Sequence, residues 1–230
     1  MNNTYFALMN DNECESQPVF LSGVLDIKDG AEIPINGSIL SFPWDAYITK
    51  NEVIFWNFNK DEELLFDYRS DHGHIVSGQF LELLEGFLGA AHRVKKLVVW
   101  MNGKKIDYNY YYIAFDHGSW DNGIQLNTDL LFYDKNESIF KRGVRGGIVP
   151  TGDIVLTVNA KKFDFFQLLE TSSLFDFFIV NEKIKENIDA MEFKGVKVVP
   201  LNDAFNTYCK DFRISIDSLL PKVKSKRKLP

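Results

Sequence analysis

The sequence predicts an α+β fold, with a β-rich N-terminal part followed by two related strand-helix-strand units packed together. Three observations carry the prediction. A segment, Ile75-Val76-Ser77-Gly78-Gln79-Phe80-Leu81-Glu82-Leu83-Leu84-Glu85, returns 104 residues later as Ile179-Val180-Asn181-Glu182-Lys183-Ile184-Lys185-Glu186-Asn187-Ile188-Asp189, each copy reading as a short strand that passes through a cap into a helix. The 20 Phe, 9 Tyr and 4 Trp make an aromatic-rich composition that favours strands. A hairpin is written around Asn102-Gly103, a dipeptide suited to a tight turn.

Element by element, Thr4 to Met9 and Pro18 to Leu25 read as the first two strands. Ile33 to Leu40 is interrupted by Pro34 and Asn36-Gly37, which is turn chemistry. Val53 to Trp56 and Leu64 to Phe66 are short apolar runs that fit either a buried strand or a helix segment. After Ser77, a suitable N-cap, Phe80, Leu81, Leu84 and Leu88 recur at spacings of three and four, so a helix follows. Lys96 to Met101 and Ile106 to Phe115 are the two arms of the hairpin. Ile124 to Tyr133 and Ile154 to Val158 read as strands, with Lys141 to Gly147 as a loop between them. Phe163 to Leu169 is balanced between helix and strand, and its Phe content favours the strand. In the second copy, Phe177 to Val180 is a strand, Glu182 to Met191 a helix capped by Asn181, Gly195 the stop, and Val196 to Val199 the returning strand. The repeat is partial, so simple shared secondary structure is an alternative source of it. Read as a repeat, it divides the chain into residues 1–120, with the β-rich part and the first unit, and 121–230, with the second unit and a basic tail. The two make one compact domain or two tightly packed subdomains.

The net charge of −6 conceals an asymmetry, because Lys222, Lys224, Lys226, Arg227 and Lys228 put +5 on the last nine residues and leave −11 on the other 221. An acidic body repels nucleic acid and attracts basic proteins, so a protein partner is expected, and neither a nucleic acid nor a membrane. Cys14 and Cys209, the two cysteines, are too few for a disulfide framework and lack zinc-site spacing. No basic segment leading into an apolar stretch opens the sequence, and it has no apolar run of about 18 residues. A cytoplasmic protein without a cofactor is the expectation.

Chemistry-bearing clusters are sparse. Asp71-His72-Gly73-His74, with His117 and His92 elsewhere, offers carboxylate and imidazole to a metal, and a metal-dependent hydrolase using Asp71, His72, His74 and His117 is the enzyme alternative. Gly73, however, reads as a turn into the strand at Ile75, where His and Asp are commonplace. Arg142-Gly143-Val144-Arg145-Gly146-Gly147 lacks the lysine and hydroxyl that end a P-loop. No serine or cysteine sits in a nucleophile motif, and Cys14 lies between Glu13 and Glu15, which disfavours a thiolate. The remaining features suit binding. Asp61, Glu62 and Glu63, with Asp67 behind them, form the densest acidic run, and carboxylates of this kind steer a basic partner. Tyr108 and Tyr110 place aromatic area on the hairpin, where Tyr contributes contact at low entropic cost. With the basic tail, the same hairpin is the basis of a third reading, a nucleic-acid accessory protein.

Phe177-Phe178-Ile179-Val180-Asn181-Glu182-Lys183-Ile184-Lys185-Glu186-Asn187-Ile188, followed by Phe193-Lys194-Gly195-Val196-Lys197-Val198-Val199-Pro200-Leu201, resembles a family of bacterial immunity proteins from polymorphic and contact-dependent toxin systems. His74-Ile75-Val76-Ser77 and Tyr110-Tyr111-Tyr112-Ile113 look like the central part of the same family, and the likeness spans roughly residues 65 to 201. Phe166-Gln167 stands where members often carry Phe-Arg. The resemblance implies a protein that is not an enzyme and that binds and blocks a cognate toxin, with no catalytic residues to carry over. Asp61, Glu62, Glu63, Asp67, Tyr108 and Tyr110 are then the candidate toxin contacts. An acidic protein of this kind suits a basic nuclease toxin.

Overall fold

The computed structural model describes residues 4–13, 23–26, 52–57, 65–70, 73–101, 104–115, 120–121, 124–125, 132–144, 148–168 and 177–221. Within them, strands β1 (Tyr5–Asn10), β2 (Gly23–Asp26), β3 (Glu52–Asn57), β4 (Tyr68–Ser70) and β5 (His74–Ser77) lead into helix α1 (Gly78–Glu85). Then come β6 (His92–Met101), β7 (Lys104–Ile106), β8 (Tyr110–Phe115), β9 (Trp120–Asp121), β10 (Ile124–Gln125), β11 (Phe140–Arg142), β12 (Ile148–Pro150) and β13 (Phe165–Gln167). The chain continues through β14 (Phe178–Asn181), α2 (Glu182–Met191), β15 (Val196–Pro200), α3 (Leu201–Asp211) and α4 (Ile216–Leu219).

Two larger sheets organise most of these elements, and β9-β10 and β11-β12 form separate two-stranded sheets. One larger sheet runs β2-β3-β6-β8-β5-β4 with β7 beside β6, and the other runs β13-β14-β1-β15. In the first, β5 and β6 are both antiparallel to β8, which lies between them. In the second, β14 and β15 are both antiparallel to the intervening β1. Each pair is therefore mutually parallel, and parallel strands need a crossover, which α1 and α2 supply. The outer strands match as well, since β4 adds antiparallel to β5 and β13 to β14. The two strand-helix-strand units share one four-stranded plan. They differ in where the middle strand comes from: β8 follows its unit in sequence, whereas β1 comes from the N-terminal end of the chain.

Aromatic rings join the units. Phe178, fully buried, meets Tyr68, His74, Phe115 and Phe165 with ring centroids 5.0–6.1 Å apart. Phe80 of α1 packs 5.0 Å from Phe193, just beyond α2. The main core thus runs through the faces the units turn toward each other, a large apolar area removed from water, and a second buried cluster, including Phe66, Ile75, Leu97, Val99, Tyr110 and Tyr112, belongs to the first sheet.

Several expectations need correction. The second hairpin arm is broken, as β7 and β8 are separated by Asp107, Tyr108 and Asn109. Helix α1 ends at Glu85, so Leu88 lies beyond it and is 59% exposed. Lys141 and Arg142 belong to β11, which pairs with β12, instead of a loop. Ile154 to Val158 forms no strand, only a bridge from Leu156 to Tyr133. The chain leaves α2 at Glu192, whose φ of 51° ends the helix, and Gly195 shapes the following turn. Helix α3 was not anticipated, although Leu201, Ala204, Phe205 and Cys209 lie on its buried side at helical spacing. The apolar run at Val53 is resolved as β3, parallel to β6. Ile33 to Leu40, Cys14 and the basic tail lie outside the described residues.

Candidate partner-binding site

A cleft of about 410 Å³ opens where the N-terminus of α1 meets the arm between β7 and β8. It is lined by Leu65, Phe66 and Asp67, by Ser77, Gly78 and Gln79, by Tyr108, Asn109 and Tyr110, and by Lys194 from the turn after α2. Three of the predicted contacts, Asp67, Tyr108 and Tyr110, meet here. Asp61, Glu62 and Glu63 lie outside the described residues, and the run ends two residues before Leu65 in sequence.

The local chemistry explains the shape. Ser77 caps α1, its Oγ accepting from Phe80 N at 3.2 Å. Gly78 N donates to Asn109 O at 2.8 Å, and a Cβ at Gly78 would lie 2.0 Å from the Asn109 side chain, so glycine lets the aromatic arm close over the helix end. Tyr110 is only 5% exposed, and its hydroxyl donates to Phe66 O at 2.8 Å and accepts from Phe66 N at 3.2 Å. Desolvation pushes its pKa up to about 12. Tyr110 is therefore a buried support for Tyr108, whose half-buried ring lies 5.8 Å away, and Tyr108 is the tyrosine with area to offer a partner.

Asp67 has more than a surface role. Its Oδ1 accepts from Ser77 Oγ at 2.7 Å and its Oδ2 from Lys194 N at 2.7 Å, while its own N–H donates to Lys194 O at 2.8 Å. The other unit repeats the arrangement. Asp164 Oδ1 accepts from Asn181 Nδ2 at 2.6 Å, Oδ2 accepts from Leu88 N at 2.8 Å, and Asp164 N donates to Leu88 O at 2.7 Å. Asn181 in turn caps α2, accepting from Ile184 N at 3.1 Å. Tyr5 OH donates to Phe163 O, the counterpart of Tyr110 on Phe66. Each carboxylate thus ties the cap of its own unit's helix to the turn beyond the other unit's helix.

Sequence reasoning did not nominate Asp164, Lys194, Leu65 or Asn109. A signal for Asp164 was present: Phe66-Asp67-Tyr68 and Phe163-Asp164-Phe165 are counterparts, but they stand 97 residues apart while the helix caps stand 104 apart. The longer β13–β14 connection breaks the register and hides the match.

The described histidines, His74 and His92, join no group that could hold a metal ion. His74 is buried, with Nδ1 3.0 Å from Tyr68 OH and its ring edge-on to Phe178. His92 Nδ1 lies 2.7 Å from Ala90 O. Asp71, His72 and His117 lie outside the described residues. Among the described residues no group of three or more His, Cys, Asp or Glu is placed to hold a metal ion, and the hydrolase alternative gains no support. No helix among them is long and apolar enough to cross a membrane. A second depression of similar volume, between β15 and α3, is lined by Lys197, Pro200, Asp203, Thr207 and Lys210 and holds none of the predicted contacts. In comparisons with known proteins, residues 32–216 match the family described as Immunity protein 43, and no curated protein matches the chain.

Proposed function

The chain belongs to the Immunity protein 43 family, and from that premise we propose that it binds a cognate bacterial toxin domain one-to-one and neutralises it by covering its active site or substrate path. The family match over residues 32–216 carries the proposal. The charge of −11 on the first 221 residues supports a basic partner, such as a nuclease toxin that must itself hold nucleic acid. Acidic groups, including Asp61, Glu62 and Glu63, steer the encounter, and buried aromatic contact holds the complex. On this reading Tyr108 and Asp67 present the cleft to the toxin, and Tyr110 works from beneath. The site of action is the cytoplasm.

The test is co-expression with the toxin encoded beside the gene. Growth rescue with a stable one-to-one complex in size-exclusion chromatography with light scattering is the expected result. Absence of both rescue and complex overturns the proposal. A complex whose formation rate does not change with salt removes the basic-partner component, because steering between opposite charges is screened over a Debye length of about 8 Å at physiological ionic strength.

A further inference from the structure

The cleft belongs to neither unit alone. Its Lys194 comes from the second unit and is held to the first through Asp67. Followed onward, the connections close on themselves. Asp67 holds Ser77, the cap of α1; α1 leads through a short turn to Leu88; Leu88 is held by Asp164; Asp164 holds Asn181, the cap of α2; and α2 leads through a short turn to Lys194, which returns to Asp67. Two helices, the turns after them and two carboxylates make a closed ring, and the helices contact each other. A helix is a rigid element, and one anchored at its cap and again through the turn beyond its other end is able to carry a change at one anchor to the other.

We infer that Asp164, which lines no part of the cleft, is a positioning residue for partner binding: it holds the cleft in its binding geometry through α2 and the Lys194 turn. The inference rests on the cleft being the toxin-docking surface, as proposed above. A cleft that is formed for only part of the time binds more weakly in proportion to that fraction.

Asp164→Asn tests it. An amide at position 164 turns an NH₂ toward one of two donors, Leu88 N or Asn181 Nδ2, and so removes the side-chain bond from one link of the ring, while the backbone bonds Asp164 N to Leu88 O and Asn181 N to Asp164 O remain. With the circular dichroism spectrum unchanged, amide exchange at Lys194, in the turn beyond α2, is expected to rise about tenfold, and affinity for the adjacent-gene toxin to fall by about three- to tenfold. Adding Asn181→Ser supplies a hydroxyl that both donates and accepts, and is expected to restore both readouts. Should Asp164→Asn fail to fold, Asp164→Glu keeps the charge, misplaces it by one methylene and carries the same test. Faster exchange confined to Leu88 and Ile184, with Lys194 at its wild-type rate, overturns the ring. If the wild-type protein does not bind the toxin, the proposed function fails, and the exchange measurement still decides the coupling.

Discussion

Replacing each latch aspartate by asparagine should produce two different stability losses, although the sites look alike. Asp67 and Asp164 each accept two hydrogen bonds, one from a backbone N–H beyond the opposite helix and one from a helix cap. The cap residue decides the outcome. At position 67 an asparagine can face its Oδ1 to Lys194 N and its Nδ2 to Ser77 Oγ, because a hydroxyl accepts as readily as it donates, and Ser77 keeps its bond from Phe80 N. The loss is then the charge assistance alone, about 0.5–1 kcal/mol. At position 164 both facing groups are donors. Turning the Asn181 amide over would relieve the conflict only by withdrawing the Oδ1 that caps α2 at Ile184 N, a cap worth about 1 kcal/mol. One bond must fail whichever way the amides turn, and the expected loss is about 2–3 kcal/mol. Urea unfolding of the two variants and the wild type measures this, provided the m-values agree. A loss at Asp67→Asn equal to or larger than that at Asp164→Asn refutes the reasoning.

Three further outcomes follow from the packing. Tyr110 has its pKa raised from 10 to about 12 in the folded protein by desolvation, so the unfolded chain releases that proton first and stability should fall as pH rises between these values. Tyr110→Phe should remove that component of the decline while lowering stability at pH 7, because both polar groups of the Phe66 backbone lose a partner; an unchanged alkaline slope would contradict the assignment. Phe178→Ala removes a ring wedged among four others and should cost about 3–5 kcal/mol by thermal or denaturant unfolding, with a loss under 1 kcal/mol counting against its central place. Gly195 has a φ of +76° and would place a Cβ 2.9 Å from both Phe66 Cβ and the Arg69 guanidinium, so Gly195→Ala should cost about 2–3 kcal/mol; a neutral result would mean that the turn at Lys194 is not held as described.

The sequence by itself determined the α+β class, the two helix caps at Ser77 and Asn181, and both strand-to-helix passages. These are local, because a cap bonds a residue three positions ahead and a helix stripe recurs every three or four. The same logic makes α3 legible after the fact, since its apolar positions follow the helical spacing directly after Pro200. The family was legible for a related reason: its motifs lie on contiguous stretches such as Phe177 to Ile188. Asp67, Tyr108 and Tyr110 could be picked out as charged or aromatic, but their roles could not be told apart. Burial of Tyr110 under Tyr108, and the use of both Asp67 oxygens inside the chain, depend on Phe66, Ser77 and Lys194, the last of them 127 residues from Asp67. Only the tertiary structure decided that β1 enters the sheet of the second unit, that the cleft is shared across the seam, and that Asp164 is the counterpart of Asp67. The physical reason is that strand pairing and side-chain hydrogen bonds between distant segments leave no period in the sequence, and a seven-residue difference in one connection erases the register that would have revealed them.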